Sequence, residues 1–223
     1  MKNKIYKYDF LVIGAGLIGT LTGLSLLKKG YSVLVVDNNM NIAKDKRTLA
    51  VNANSKDFLI NLSLWNKLRN KPQSINQIII KDFINKSTLT FQEPKEEMGN
   101  VIFNYDLLTI SRNELQKKNL LMKISNLSIS NLISKKTILM NKKKFIFKNI
   151  ILSLGKKYAD EKVLKKYNFP NSHNSYVGFF DHSKSHNQLA YEIFTEQGPL
   201  AVLPSPKKKN TSSTFIYSTK DNP

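Results

Sequence analysis

Residues 8–37, YDFLVIGAGLIGTLTGLSLLKKGYSVLVVD, decide how this chain is read. The apolar run Tyr8 to Ile13 predicts a buried strand, Leu17 to Lys29 a helix, and Ser32 to Val36, following Gly30, a second strand. Together they make a βαβ unit. Gly14, Gly16 and Gly19 form GxGxxG at the strand-to-helix turn, the context in which this motif binds a dinucleotide. Gly14 permits the tight turn, Gly16 lets the backbone approach a pyrophosphate, and Gly19 lets the helix lie close on the strands. The helix N-terminus offers free N–H groups and the positive dipole end to a diphosphate. The candidate binding loop is therefore Gly14, Ala15, Gly16, Leu17, Ile18 and Gly19. Asp37, 23 residues after Gly14 (37 minus 14), ends the second strand, where a carboxylate accepts hydrogen bonds from ribose hydroxyls. Its charge disfavours the 2′-phosphate of NADP.

The rest of the composition narrows the alternatives. A chain of 223 residues, 41% hydrophobic and 10% aromatic, has enough apolar material for a globular fold. Lys+Arg of 35 against Asp+Glu of 16 gives a formal charge of +19, which raises the question of nucleic acid. The excess is mostly Lys, scattered among abundant Asn and Ile, all residues with A/T-rich codons, so genome bias accounts for it. Base readout and bidentate phosphate binding favour Arg, and only Arg47, Arg69 and Arg112 are present. Nucleic acid is not an expected partner. Attraction of the lysines to an anionic lipid surface fits better. With no cysteine, disulfides and thiolate metal sites are excluded. His173, His182 and His186 lie in polar surroundings without helical periodicity, and no metal site is expected. The uncharged run Phe10 to Leu27 has the length of a short membrane span, but a strand follows it after a KKG turn and its glycines obey the stricter fingerprint. The expected location is cytoplasmic, with room for attachment to the inner membrane face.

Beyond residue 37, a helix is predicted over Ser55 to Leu68, with Phe58, Leu59, Leu62, Trp65 and Leu68 as core. Strands follow at Ile75 to Asp82 and Thr88 to Gln92 around an INKS turn, and at Val101 to Asn104. Tyr105 to Leu121 is predicted helical, with the charges from Arg112 to Lys118 on a mixed surface. Strands are predicted near 127–133, 137–141 and 144–153, the last a central strand of a parallel sheet. The segments YVGFF, AYEIF, LAVLP and TFIYST are expected to form an antiparallel block, ending in an unpaired edge after Tyr217. The fold class is α/β, a Rossmann-like domain with a parallel sheet (residues 1–74 and 105–168) plus an incomplete antiparallel β substrate domain (75–104 and 169–223).

The fingerprint continues through Gly23 and Gly30, and this longer form resembles the FAD signature of flavoprotein hydroxylases and reductases more than that of nicotinamide dehydrogenases. Four further stretches resemble the ubiquinone-biosynthesis branch of the aromatic-ring flavin monooxygenases, the 2-polyprenylphenol hydroxylases: KRTLAVNANSKDFLINLSLWNKL, GNVIFNYDLL, SYVGFF and QGPLAVLPSP. The resemblance implies FAD as cofactor, NAD(P)H as electron donor, O₂ as oxidant and a prenylated phenol as substrate. It also implies peripheral association with a membrane or a biosynthetic complex. The protein would orient the ring and exclude water, which explains why no acid/base dyad stands out; catalytic residues are not assigned. Arg47 matches a family arginine lying against the FAD, its alternative being a surface arginine. Asn104 falls near the expected flavin position or caps the helix after it.

Two departures stand against full activity. The family's Asp-Gly motif is missing after IILSLG, where Gly155 and Lys156 stand and Asp160 is too distant to substitute. The later Gly-Asp motif is also missing, so the chain is expected to be a fragment or a degenerate relative, unable alone to hydroxylate a phenol. The readings kept beside the enzyme are a non-catalytic dinucleotide- or partner-binding module and an NAD-dependent dehydrogenase.

Overall fold

A computed structural model describes residues 4–69, 72–92, 97–125, 128–140, 142–155, 174–207 and 209–219. In chain order the elements are β1 (Lys4–Ile13), α1 (Leu17–Lys28), β2 (Val33–Asp37), β3 (Thr48–Val51), α2 (Ala53–Asn61), β4 (Gln73–Ile75), β5 (Gln77–Asp82), β6 (Ser87–Gln92) and β7 (Gly99–Phe103). They continue with α3 (Asn104–Lys117), β8 (Leu121–Lys123), α4 (Ile129–Lys135), β9 (Thr137–Met140), β10 (Lys143–Leu152), β11 (Asn174–Asp181), β12 (Leu189–Thr195), β13 (Gly198–Pro204) and β14 (Ser212–Thr219). The chain divides into two compact units, Met1–Ile42 with Leu108–Tyr167, and Ala43–Leu107 with Asn168–Pro223. The class is α/β, with a largely parallel sheet in the first unit and β-rich structure in the second.

The first unit carries a five-stranded sheet in the order β8-β2-β1-β10-β9. β1 is parallel to both β2 and β10, β8 is parallel to β2, and β9 closes the far edge antiparallel. Val33 to Val36 are buried at every position, as expected of a strand covered on both faces. Leu11, Ile13, Leu34, Val36, Leu132, Ile138, Phe145 and Phe147 form one core cluster. The run Phe10 to Leu27 is divided between β1 and α1 rather than forming one helix. Among the described residues no helix is long and apolar enough to cross a membrane.

The second unit holds a six-stranded sheet, β11-β14-β13-β12-β5-β6, and a three-stranded antiparallel sheet, β3-β7-β4. Ile75, Val101 and Ala190 form its buried cluster, with Ile78 and Leu203 packed against them.

Several expectations need correction. The helix predicted to reach Leu68 stops at Asn61, because Ser63 turns left-handed (φ 57) and the N–H groups of Ser63 and Leu64 donate to the Ile60 and Leu59 carbonyls. This reversal is a Schellman-type end, and it buries Leu64 completely while Phe58 stays 40% exposed. Where a strand was predicted near 127–133, Ile129–Lys135 form a helix: the Ser128 side chain accepts the Asn131 N–H, and Ile129 and Leu132, three apart, are buried. The helix predicted to Leu121 ends at Lys117, and Leu121 begins β8. The four C-terminal segments pair antiparallel as expected, β11 with β14, β14 with β13 and β13 with β12, while β12 also runs parallel to β5 from earlier in the chain. But β14 is not an open edge, for it is paired on one side with β11 and on the other with β13. Lys156, Asp160 and His173 lie outside the described residues.

Candidate functional site

The site in the first unit grows from the turn between β1 and α1. The Ile13 carbonyl accepts the Ser153 N–H (2.7 Å) and the Val36 carbonyl accepts the Gly14 N–H (2.8 Å), so the turn is held between the ends of β10 and β2. Gly14 has φ 102, and a Cβ there would lie 2.2 Å from the Ser153 carbonyl oxygen. A Cβ on Gly19 would lie 1.8 Å from the Gly14 carbonyl oxygen, so α1 sits as near the strand as a backbone allows. A Cβ at Gly16 would meet no heavy atom within 4 Å.

Gly16 stands at the N-cap of α1 and makes no side-chain cap, and the first turn carries no acidic residue. The positive end of a 12-residue helix is thereby left to an anion. In front of it lies a cleft of about 500 Å³, lined by Gly14, Gly16, Asp37, Arg112, Ser153 and Gly155 among others.

Asp37, at the end of β2, lines this cleft. Its Oδ2 accepts the Ala15 N–H (2.6 Å) and its Oδ1 the Asn39 N–H (2.8 Å). Each carboxylate oxygen retains a lone pair for a hydroxyl donor. Arg112, from α3, was expected on a mixed surface but is 6% exposed. Its Nε donates to the Ala15 carbonyl (2.7 Å), its Nη1 to the Met40 carbonyl (3.0 Å) and more weakly to that of Asn39 (3.4 Å), and its Nη2 stands 3.9 Å from Asp37. Burial pulls the Arg112 pKa below its ordinary value, and the neighbouring Asp37 carboxylate pushes it back up. The Ala15 peptide is thus gripped at both ends, its N–H by Asp37 and its carbonyl by Arg112. Beneath it, Thr20 Oγ1 lies 2.9 Å from the Leu17 carbonyl oxygen and 3.0 Å from Ser111 Oγ, tying α1 to α3.

Of the residues expected at the site, Gly14, Gly16 and Asp37 line the cleft. Ala15 is fully buried, Gly19 is buried against the turn, Leu17 is half-buried and Ile18 points to solvent at 70% exposure. Arg47 belongs to the second unit, where its guanidinium forks around Asp45 and its side chain is 64% exposed. The Asn104 N–H donates to the Arg47 carbonyl, and its side-chain amide reaches Asp45 at 3.4 Å. His182 Nε2 lies 3.0 Å from Ser213 Oγ, and His186 Nδ1 accepts the Gln188 N–H. Among the described residues no group of three or more His, Cys, Asp or Glu is placed to hold a metal.

A sequence model described as FAD binding domain matches residues 7–132, more than half of the chain. The chain belongs to the FAD binding domain family. The ubiquinone hydroxylase UbiL of Rhodospirillum rubrum is 22% identical over 228 residues, covering 91% of this chain and 50% of that protein. The fold is shared with PqsL of Pseudomonas aeruginosa, solved in complex with 2-aminobenzoylacetate (TM-score 0.73, 10% identity, 96% of this chain and 61% of that one). It is shared also with the flavin-dependent brominase Bmp2 (TM-score 0.72, 12% identity, 96% and 56%) and with CtdE in complex with FAD (TM-score 0.62, 13% identity, 97% and 60%). The chain thus spans about half the length of the curated relative it matches.

FAD is the cofactor this family membership brings, and the cleft is suited to its ADP half: an uncapped helix end for the diphosphate, an unfilled space over Gly16 and a carboxylate for the ribose. The open space at Gly16 permits a direct check. Gly16→Ala is expected to leave the unfolding midpoint close to wild type while weakening FAD binding about tenfold, because the added methyl meets no protein atom and takes up space in the cleft that Gly16 lines. Unchanged affinity by titration calorimetry would show that the ligand does not pass there.

Proposed function

We propose that this chain is the FAD-binding part of an aromatic-ring monooxygenase of the ubiquinone-biosynthesis type. In this reading Gly14 to Gly19 and Asp37 hold the ADP half of the cofactor, and Arg47 is a further cofactor-binding residue. Residues 1–74 and 105–168 form the cofactor-binding part, and residues 75–104 and 169–223 the part that faces substrate. The flavin, when bound, supplies the oxygen chemistry; the chain's own task is to grip the nucleotide, orient a phenol ring and keep water away. NAD(P)H as donor, a prenylated phenol as substrate and a peripheral position at a membrane or in a biosynthetic complex belong to the same reading.

The observation that carries it is the junction of the uncapped α1 N-terminus with Asp37, both lining one cleft. The test is calorimetric titration of the purified chain with ADP and FAD. Asp37→Ala is expected to weaken both by roughly tenfold to a hundredfold, since a hydrogen bond to a charged acceptor is worth roughly 1.5–3 kcal/mol. Asp37→Asn, which keeps one acceptor oxygen, is expected to fall between the two. ADP carrying a 2′-phosphate should bind wild type poorly and Asp37→Asn less poorly. Equal ADP affinity across all three proteins would remove Asp37 from the site. Supplied with FAD, NADH, O₂ and a prenylated phenol, this chain alone is expected to give no hydroxylated product by mass spectrometry, and stoichiometric product would overturn that expectation.

A further inference from the structure

We infer that the β5–β6 hairpin is the surface by which this protein meets an anionic phospholipid bilayer. The inference rests on the peripheral-association part of the function proposed above and names where that contact is made. Phe83 and Ile84 stand side by side at the hairpin turn, 64% and 59% exposed. Leu89 and Phe91, on β6, are 59% and 46% exposed, and every residue of β6 is open to solvent. Phe194 joins them at 41% exposure, its carbonyl accepting the Phe83 N–H at 3.1 Å. Five large apolar side chains therefore share one end and edge of the sheet.

Scattered exposed apolar residues need no explanation, but a contiguous group does. This group is also held in place. Asp82 Oδ1 accepts the N–H groups of Ile84 (2.8 Å) and Asn85 (3.0 Å), and its Oδ2 accepts the Asn85 side-chain amide (2.7 Å). These bonds lower the Asp82 pKa and fix the turn with Phe83 and Ile84 facing outward. Folding does not bury the two side chains, so they are available to a phase outside the protein.

Charge selects that phase. Lys81 and Lys86 bracket the turn, and the chain as a whole carries +19. A second copy with the same charge is repelled, whereas a surface of anionic headgroups is attractive for each lysine near it. Inserting Phe83 and Ile84 below the headgroups adds the apolar contribution. The two together are what reversible attachment requires.

The experiment is co-sedimentation of the full chain with vesicles of phosphatidylcholine alone and of phosphatidylcholine with phosphatidylglycerol. Wild type is expected to partition onto the anionic vesicles, and less so at high salt. Phe83→Ser combined with Ile84→Ser is expected to weaken that partition about tenfold or more. Leu139→Ser, which removes an equally exposed apolar residue on β9 (72% exposed), should leave it unchanged. As a second readout, Phe83→Trp should gain fluorescence quenched by brominated lipid beyond that of Trp65 in wild type. Equal partition of wild type and the double variant would overturn the hairpin assignment while leaving peripheral association standing. Failure of wild type to bind either vesicle would overturn both. A dimer in sedimentation velocity that the double variant abolishes, with no vesicle binding, would make the hairpin a contact between copies and refute the lipid assignment.

Discussion

Arg112→Met is expected to destabilise the protein by about 3–5 kcal/mol, the range found when one partner of a buried ionic group is removed. Set against a typical total of roughly 5–15 kcal/mol, that is a large fraction. The reason lies in what the guanidinium satisfies. At 6% exposure it donates to the carbonyls of Ala15 and Met40, reaches that of Asn39 and faces Asp37. Methionine fills the space and leaves those carbonyls without their donor. Arg112→Lys should recover only a minor part, because a single ammonium cannot serve acceptors fixed by a planar fork. Because Ala15 and Asp37 belong to the cleft, FAD affinity should fall in the same variants. Urea denaturation measures the first effect and calorimetry the second. A midpoint within experimental error of wild type for Arg112→Met would show that the arginine is incidental.

Gly19→Ala should abolish cofactor binding at concentrations that saturate wild type. The added methyl would sit 1.8 Å from the Gly14 carbonyl oxygen, which is backbone and cannot rotate away. Relief requires α1 to draw back from β1, carrying the Gly16 end of the helix out of line with Asp37. Overpacking of this kind costs about 1–3 kcal/mol and sometimes more. The comparison with Gly16→Ala separates two roles inside one motif: the same methyl three residues earlier meets nothing in the protein. Thermal unfolding with and without FAD reads both. If Gly19→Ala melts like wild type and shows the full FAD-induced shift, the close approach of helix and strand is not required.

The part of the site legible in the sequence was the part built locally. The β1–α1–β2 unit could be placed because its glycines, its apolar runs and Asp37 lie within 30 residues and each has a stereochemical reason to be what it is. Arg112 was missed because its partners are 72 to 97 residues away. Read linearly, it opens a charged stretch; on the helix it comes one residue after Ser111 and three before Leu115, both fully buried, and that position was the available clue. The segment at 127–133 alternates Ser and Asn with Leu and Ile in a way that imitates a strand, and only the Ser128 cap and the Ile129–Leu132 spacing favour the helix. The parallel pairing of β5 with β12 left no local mark, since parallel and antiparallel neighbours draw on the same β-branched residues. Trp65 and Phe58 followed the helical period on paper, but the left-handed Ser63 ended that period and made Leu64 the buried residue.

The pairing of β1 with β10 has a consequence for how the protein is made. β1 ends at Ile13 and β10 at Leu152, so the ribosome must add 139 residues (152 minus 13) before the central pair of the first sheet is complete. At common synthesis rates this interval is on the order of 10 s. Throughout it, Phe10 to Ile13 emerge with one strand edge lacking its neighbour, and such edges recruit other chains. The second sheet repeats the delay, because β5 waits for β12. An edge left open for that long is the kind of surface that holding chaperones cover, and slower translation lengthens the interval.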